Sequence, residues 1–269
     1  MGLPVGIQLY TVRGVIQNDT LGTLKQLYGI GYREVETAGF GRYTAKEFGQ
    51  LIKGAGLSCP SAHLQFNTAD LGPVFDDAHA LGVTYATSSV LSIEATPGSI
   101  SISTGTPKPR PNIGADRFKN LAARMNDIGV KAKAAGLQYT YHNHNIEFER
   151  MADGTFGYDI LLNETDKSLV KFEIDCGWMV ISGVSPVEYM KKHPDRFKML
   201  HIKDFKAMQT PGMRRKGSEL GAGIIDYKPI FAEGKSAGMQ HVFAEQEGPY
   251  TKSELGSAKI DYAYLHSFN

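Results

Sequence analysis

Short apolar runs alternate with amphipathic segments along the whole chain. Val5–Tyr10, Tyr32–Glu36, Leu57–Ala62, Val83–Thr87, Gln138–His142, Val170–Ile174, Lys198–Leu200 and Gln240–Ala244 read as eight strands. Leu21, Leu24, Leu27 and Tyr28 recur at helical spacing, which predicts a helix over Thr20–Ile30 with Asp19 as its N-cap. Further helices are expected over Thr44–Ala55, around Leu71–Ala80, over Asp116–Ala135 and in the segment Ser185–Lys192. Glycines punctuate the helix-to-strand joints at Gly29/Gly31, Gly56, Gly82, Gly136 and Gly238, where a helix C-terminus takes a left-handed residue. The strands show no clean alternation, as expected of parallel strands covered on both faces.

Strand–helix alternation repeated eight times predicts a single (β/α)8 TIM barrel over residues 1–269 rather than an open doubly wound sheet. A barrel of about 250 residues is one domain. No Gly-x-Gly-x-x-Gly follows the first strand, which argues against a dinucleotide fold. Two segments break the rhythm. Residues 88–111, rich in Ser, Thr, Gly and Pro, follow strand four, and 203–223 follow strand seven. Both leave the C-terminal ends of strands, so both are expected to wall or cover a site there. A plain surface insertion is the alternative for the first.

The chemistry sits at the same strand ends. The run Phe172-Glu173-Ile174-Asp175-Cys176-Gly177-Trp178 brings Asp175 to the end of one strand, and Met199-Leu200-His201-Ile202-Lys203-Asp204 brings His201 to the end of the next. Glu147 follows the fifth strand and Glu245 the eighth. Three carboxylates and one imidazole converging at a barrel mouth favour a hard or borderline divalent cation with positions open to substrate oxygens. Two of these choices have rivals. His142, His144 and Glu149 share a stretch with Glu147, and Glu247 would point the same way as Glu245 in a strand.

Around this set, Glu36 and His63 are expected to face the mouth and bind hydroxyls, or else to hydrogen-bond within the core. Lys203 could contact a hydroxyl or carbonyl, or form an ion pair near Asp204. Trp178 offers an apolar face for stacking, with rim packing as the alternative. Arg214, beside Arg215, is a candidate anchor for an anionic substrate, with a solvated basic pair as the alternative.

Several stretches carry a family likeness: Gly6-Ile7-Gln8-Leu9-Tyr10-Thr11-Val12-Arg13, Gly31-Tyr32-Arg33-Glu34-Val35-Glu36, His142-Asn143-His144 with Glu147-Phe148, Glu173-Ile174-Asp175, His201-Ile202-Lys203-Asp204, Leu220-Gly221 through Ile225-Asp226, and Glu245-Gln246-Glu247. In them the chain resembles the sugar phosphate isomerase/epimerase superfamily, the xylose isomerase-like TIM barrels. The resemblance implies one divalent ion, Mn²⁺ first with Mg²⁺, Co²⁺ or Zn²⁺ as alternatives. Its ligands would be Glu147, Asp175, His201 and Glu245, and Glu147 and Glu245 would also move the proton. It further implies a carbohydrate isomerase or epimerase working through an enediolate on a small sugar or polyol. His142 itself is expected among the substrate contacts. One departure stands out. Many epimerases of the group place a Glu where this chain has His142, and the His-Asn-His stretch also resembles inosose dehydratases. Loss of hydroxide from the same enediolate would make the protein a lyase. A non-catalytic sugar-binding barrel is the alternative outside enzymology.

Charge narrows the partners. The chain has 29 basic and 28 acidic residues, so nothing draws it to nucleic acid or an anionic membrane. An AP endonuclease on this fold would need several zinc ions and a basic DNA-binding face. No apolar stretch approaches the roughly 18 residues that span a bilayer. Cys59 and Cys176 are expected as buried thiols rather than a disulfide. No signal peptide is visible, so the reading is cytoplasmic; the start Met-Gly-Leu-Pro also fits an exported chain whose signal has been trimmed. A homo-oligomer is compatible with all of this.

Overall fold

A computed structural model describes residues 2–89, 91, 114–208 and 216–269. Arg214 and most of 88–111, both singled out above, lie outside the described residues. Eight strands close into a parallel barrel: β1 (Val5–Gln8), β2 (Glu34–Thr37), β3 (Ser58–His63), β4 (Tyr85–Ser88), β5 (Gln138–His142), β6 (Val170–Asp175), β7 (Phe197–Ile202) and β8 (His241–Ala244). Sequence neighbours pair around the ring, and β1 closes it on β8 with Val5 opposite Val242 and Ile7 opposite Ala244. This is the (β/α)8 barrel that the alternation predicts.

Local chemistry sets the helix ends. Thr44 and Glu47 form a reciprocal capping box at the start of Ala45–Gly54, satisfying donors the first turn leaves orphaned. Gly82 ends Gly72–Leu81 with φ of 76°, its N–H reaching the Ala78 and His79 carbonyls, a conformation that L side chains resist. Several helices carry no strong apolar stripe and are absent from the sequence reading. The last, Glu254–His266, buries Ser257, Ala258, Asp261 and Leu265, two of which are polar.

The core is divided by the barrel wall. Outward side chains such as Ile7, Val35, Phe172, Ile174, Leu200 and Val242 pack under the helices in one continuous cluster. Inside, Tyr85, Met199 and Phe243 form a separate apolar plug. Below the plug, His241 Nδ1 meets Glu34 Oε2 at 2.8 Å. Above it the interior turns polar, and Gln8, Glu36, Ser61, Thr87, Thr140, Glu173 and His201 are all buried. The strands therefore do alternate, apolar outward and polar inward, against the sequence-based expectation. Cys59 and Cys176 are buried and unpaired as disulfides. Among the described residues no helix is long and apolar enough to cross a membrane.

Candidate metal centre

Side chains at i and i+2 of a strand share a face, and that rule builds the mouth. Glu173 and Asp175 project inward from β6, and His201 from β7 with Lys203 just beyond it. Glu245 and Glu247 continue the line of β8, and His142 ends β5. Ligand atoms of His142, Asp175, His201 and Glu245 all lie within 4.8 Å of one another, and all four side chains are buried.

Asp175 divides its carboxylate between two tasks. Oδ1 accepts from the Trp178 N–H at 2.9 Å and so caps Cys176–Ile181, while Oδ2 lies 3.0 Å from Lys203 Nζ. Asn143 ties the tips of β5 and β6 together, its Oδ1 accepting from the Asp175 N–H at 3.0 Å. The Lys203 ammonium also sits 2.7 Å from Glu245 Oε2 and 2.9 Å from Glu247 Oε1, and lies 4.9 Å from the Trp178 ring centre. Trp178 is buried against His144 and Phe205, so its ring backs Lys203. The segment after β7 is pinned rather than loose at both described ends. Asp204–Phe205 pairs antiparallel with Gly217–Ser218, and the Asp204 carboxylate accepts from the N–H groups of Phe205, Gly221, Gly223 and Ile225.

Glu147 departs from the expected set. It sits in the short turn Ile146–Phe148, where its carboxylate accepts from the Tyr141 hydroxyl at 2.6 Å and the His144 N–H at 2.8 Å. Tyr141 alternates with the inward-facing Thr140 and His142, so this pairing draws Glu147 to the helix side of the wall. His142 takes the strand-five place in the cluster instead.

Glu36 is buried and His63 only partly exposed, and both are engaged by groups of the barrel interior. Glu36 Oε2 is 2.6 Å from His201 Nε2, 3.1 Å from His63 Nε2 and 2.7 Å from Gln8 Nε2, while Oε1 accepts from Ser61 at 2.5 Å. Glu173, which sequence reasoning missed as a site residue, brings Oε2 to 3.0 Å from both His63 Nε2 and His142 Nδ1 and 3.3 Å from His201 Nε2. Its signal was there to be found: a charged residue two positions before Asp175, hence on the same face.

These contacts shift the proton affinities. Burial opposes the Glu36 charge, yet His63 and His201 hold its carboxyl well below the usual range. Burial, with Glu36 nearby, pushes Glu173 up to about 7, and burial pushes Asp175 up to about 6 against the pull of Lys203. Burial disfavours a charged His63, but Glu36 and Glu173 raise it to about 9. Burial opposes the Glu245 charge too, and Lys203 and His201 hold that carboxyl low. Asp175, Glu173 and His63 all bind protons more tightly when folded than when unfolded. Each favours the folded chain at low pH and ceases to as pH rises through about 6, 7 and 9 respectively. Asp175's contribution is spent by about pH 6, and His142 and His144, held low by burial, act in the opposite sense up to about pH 6.5. The metal-free protein should therefore lose several degrees of melting temperature mainly between about pH 6.5 and pH 9, where His63 titrates. His63→Gln should flatten the upper part of that slope; a melting temperature constant across the window in the parent protein would contradict the arrangement.

The sequence profile of the xylose isomerase-like TIM barrel family matches residues 24–267. The chain belongs to that family. Among individual relatives, an inosose dehydratase of Clostridium perfringens is 31% identical over 131 residues, 44% of this chain and 43% of that protein. This chain thus spans less than half the length of that curated relative. A sugar phosphate isomerase/epimerase from Parabacteroides distasonis is 26% identical over 99% of this chain and 94% of its own, with a TM-score of 0.77. A xylose isomerase-like TIM barrel protein from Mycobacterium smegmatis, in complex with magnesium, shares the fold at a TM-score of 0.67 and 15% identity, over 99% of this chain and 96% of its own.

Proposed function

We propose that the protein is a divalent-metal-dependent enzyme that removes the proton beside the carbonyl of a keto-sugar or keto-polyol and then expels a hydroxyl as water. Two carboxylates and two imidazoles within 4.8 Å are a donor set suited to a borderline divalent cation. The Lys203 ammonium, lodged between Asp175 and Glu245, marks a place already shaped for positive charge. His142, Asp175, His201 and Glu245 would hold the ion, which would polarise the carbonyl and a neighbouring hydroxyl.

The observation that carries the elimination reading is the engagement of the Glu147 carboxylate by the Tyr141 hydroxyl and the His144 N–H, which leaves Glu245 and Lys203, 2.7 Å apart, as the proton carriers on one side. In this reading Glu245 takes the carbon-bound proton, and Lys203, beside it, gives one to the departing hydroxyl. The proton on Glu245 then returns to Lys203 across their shared contact. The cycle closes without a proton from solvent. Two-sided proton return would call instead for a facing carboxylate, the part expected of Glu147, whose oxygens are engaged by Tyr141 and the His144 N–H. Kinship with inosose dehydratases over about half the chain supports the same reading.

A second reading, isomerase or epimerase, draws on the full-length likeness to the Parabacteroides distasonis protein. In that case Lys203 and Glu245 redeliver the proton to carbon. The two part on mass. Mn²⁺-loaded protein, incubated in D₂O with inososes, 3-keto-glycosides and ketoses, should yield a product lighter by one water. A product of unchanged formula that has gained deuterium would overturn the lyase reading in favour of the isomerase.

A further inference from the structure

Each imidazole of the mouth has two nitrogens, and the structure spends them differently. His201 turns Nδ1 outward, 3.0 Å from Glu245 Oε2, and Nε2 inward, 2.6 Å from Glu36 Oε2. His142 does the reverse. Its Nδ1 faces inward, 3.0 Å from Glu173 Oε2, and its Nε2 faces Asp175 Oδ2 at 3.7 Å. The inner carboxylates are themselves fixed. Ser61 and Gln8 donate to Glu36, and His63 bridges Glu36 and Glu173 at 3.1 and 3.0 Å through one nitrogen, its ring stacked on His201 at 5.5 Å between centroids. A ring N–H donated to a carboxylate fixes tautomer and orientation and makes the opposite nitrogen a better donor to a metal.

We propose that Glu36 and Glu173, bridged by His63, are positioning residues of the metal centre: they hold the inner N–H of His201 and of His142, so that His201 Nδ1 and His142 Nε2 are the ligating atoms. This rests on the reading of His142, Asp175, His201 and Glu245 as a metal site. It goes further in naming which nitrogen of each ring binds and why the two rings bind through opposite atoms.

The test uses the full chain and Zn²⁺, followed by long-range ¹H–¹⁵N NMR of the histidine rings. In the parent protein, added Zn²⁺ should shift Nδ1 of His201 and Nε2 of His142 while Nε2–H of His201 and Nδ1–H of His142 persist. Glu36→Gln and Glu173→Gln should each weaken metal binding by about 10-fold or more, read by calorimetry. Both should also alter the visible spectrum of the Co²⁺-loaded protein. Glu36→Asp, which keeps the charge, should recover part of the affinity. Zinc on His201 Nε2 or His142 Nδ1 would overturn the proposal and place the ion among His63, His142, Glu173 and His201 instead. Unchanged affinity and spectrum in both Gln variants would overturn it as well. Failure of the parent protein to bind any divalent ion would sink the underlying metal-site reading, an outcome distinct from binding through the wrong nitrogen.

Discussion

Lys203→Met should destabilise the metal-free protein by about 3–5 kcal/mol, and a saturating divalent cation should restore most of that loss. The ammonium is buried with Asp175 and Glu245 and also meets the partly exposed Glu247. Removing one partner of a buried ion pair costs far more than the pair contributes, because the remaining charge is left in a poorly solvating place. Here at least two buried carboxylates lose their counter-charge together. A metal among the same oxygens replaces it, so the melting temperature of the variant should rise more steeply with added Mn²⁺ than that of the parent. On the proposed elimination, turnover should stay low at any metal concentration, by about 10²–10³-fold, since an ion cannot donate the proton that this mechanism assigns to Lys203. Thermal unfolding with and without Mn²⁺ checks the first part; a deficit that metal leaves untouched would mean these carboxylates are not a metal site.

Glu245→Gln should lower kcat by about 10³-fold even with metal in excess. The amide oxygen still accepts from Lys203 and can still face a cation, so binding survives better than chemistry. An amide cannot carry away a carbon-bound proton. Asp175→Asn makes the control, because its Oδ1 can go on capping the helix at Trp178 while a charged ligand is lost. That variant should recover much of its rate as Mn²⁺ is raised. Equal rescue of the two would reduce Glu245 to a ligand.

Barrel topology was legible in the chain because strand and helix periods alternate and glycines punctuate the joints. Boundaries slipped by about two residues where an apolar side chain belongs to the helix layer. Tyr32, read as the start of a strand, lies before β2, and its buried hydroxyl donates to the Ala258 carbonyl. The mouth was legible where a strand ends in a titratable group, as at Asp175 and His201. It was not legible at Glu147, since nothing in the spacing reveals that the Tyr141 hydroxyl would capture it. Glu173 was passed over for another reason. Parallel strands were expected to be apolar on both faces, and a charge in mid-strand gained meaning only once the polar interior was seen.

That interior has a consequence for how such a sequence can drift. Ser61 links Glu36 to Thr87 at 2.9 Å, and Thr87 links to Thr140 at 2.5 Å, so hydroxyls cross the barrel in a chain from the carboxylate. An interior filled with branched aliphatic residues accepts single exchanges of similar volume. This one accepts fewer, because a change that removes a hydroxyl or the carboxylate leaves a buried neighbour short of a partner. Accepted replacements in the layer should therefore arrive in linked pairs across adjacent strands, whereas the helix-facing side of the same strands is free to vary one residue at a time.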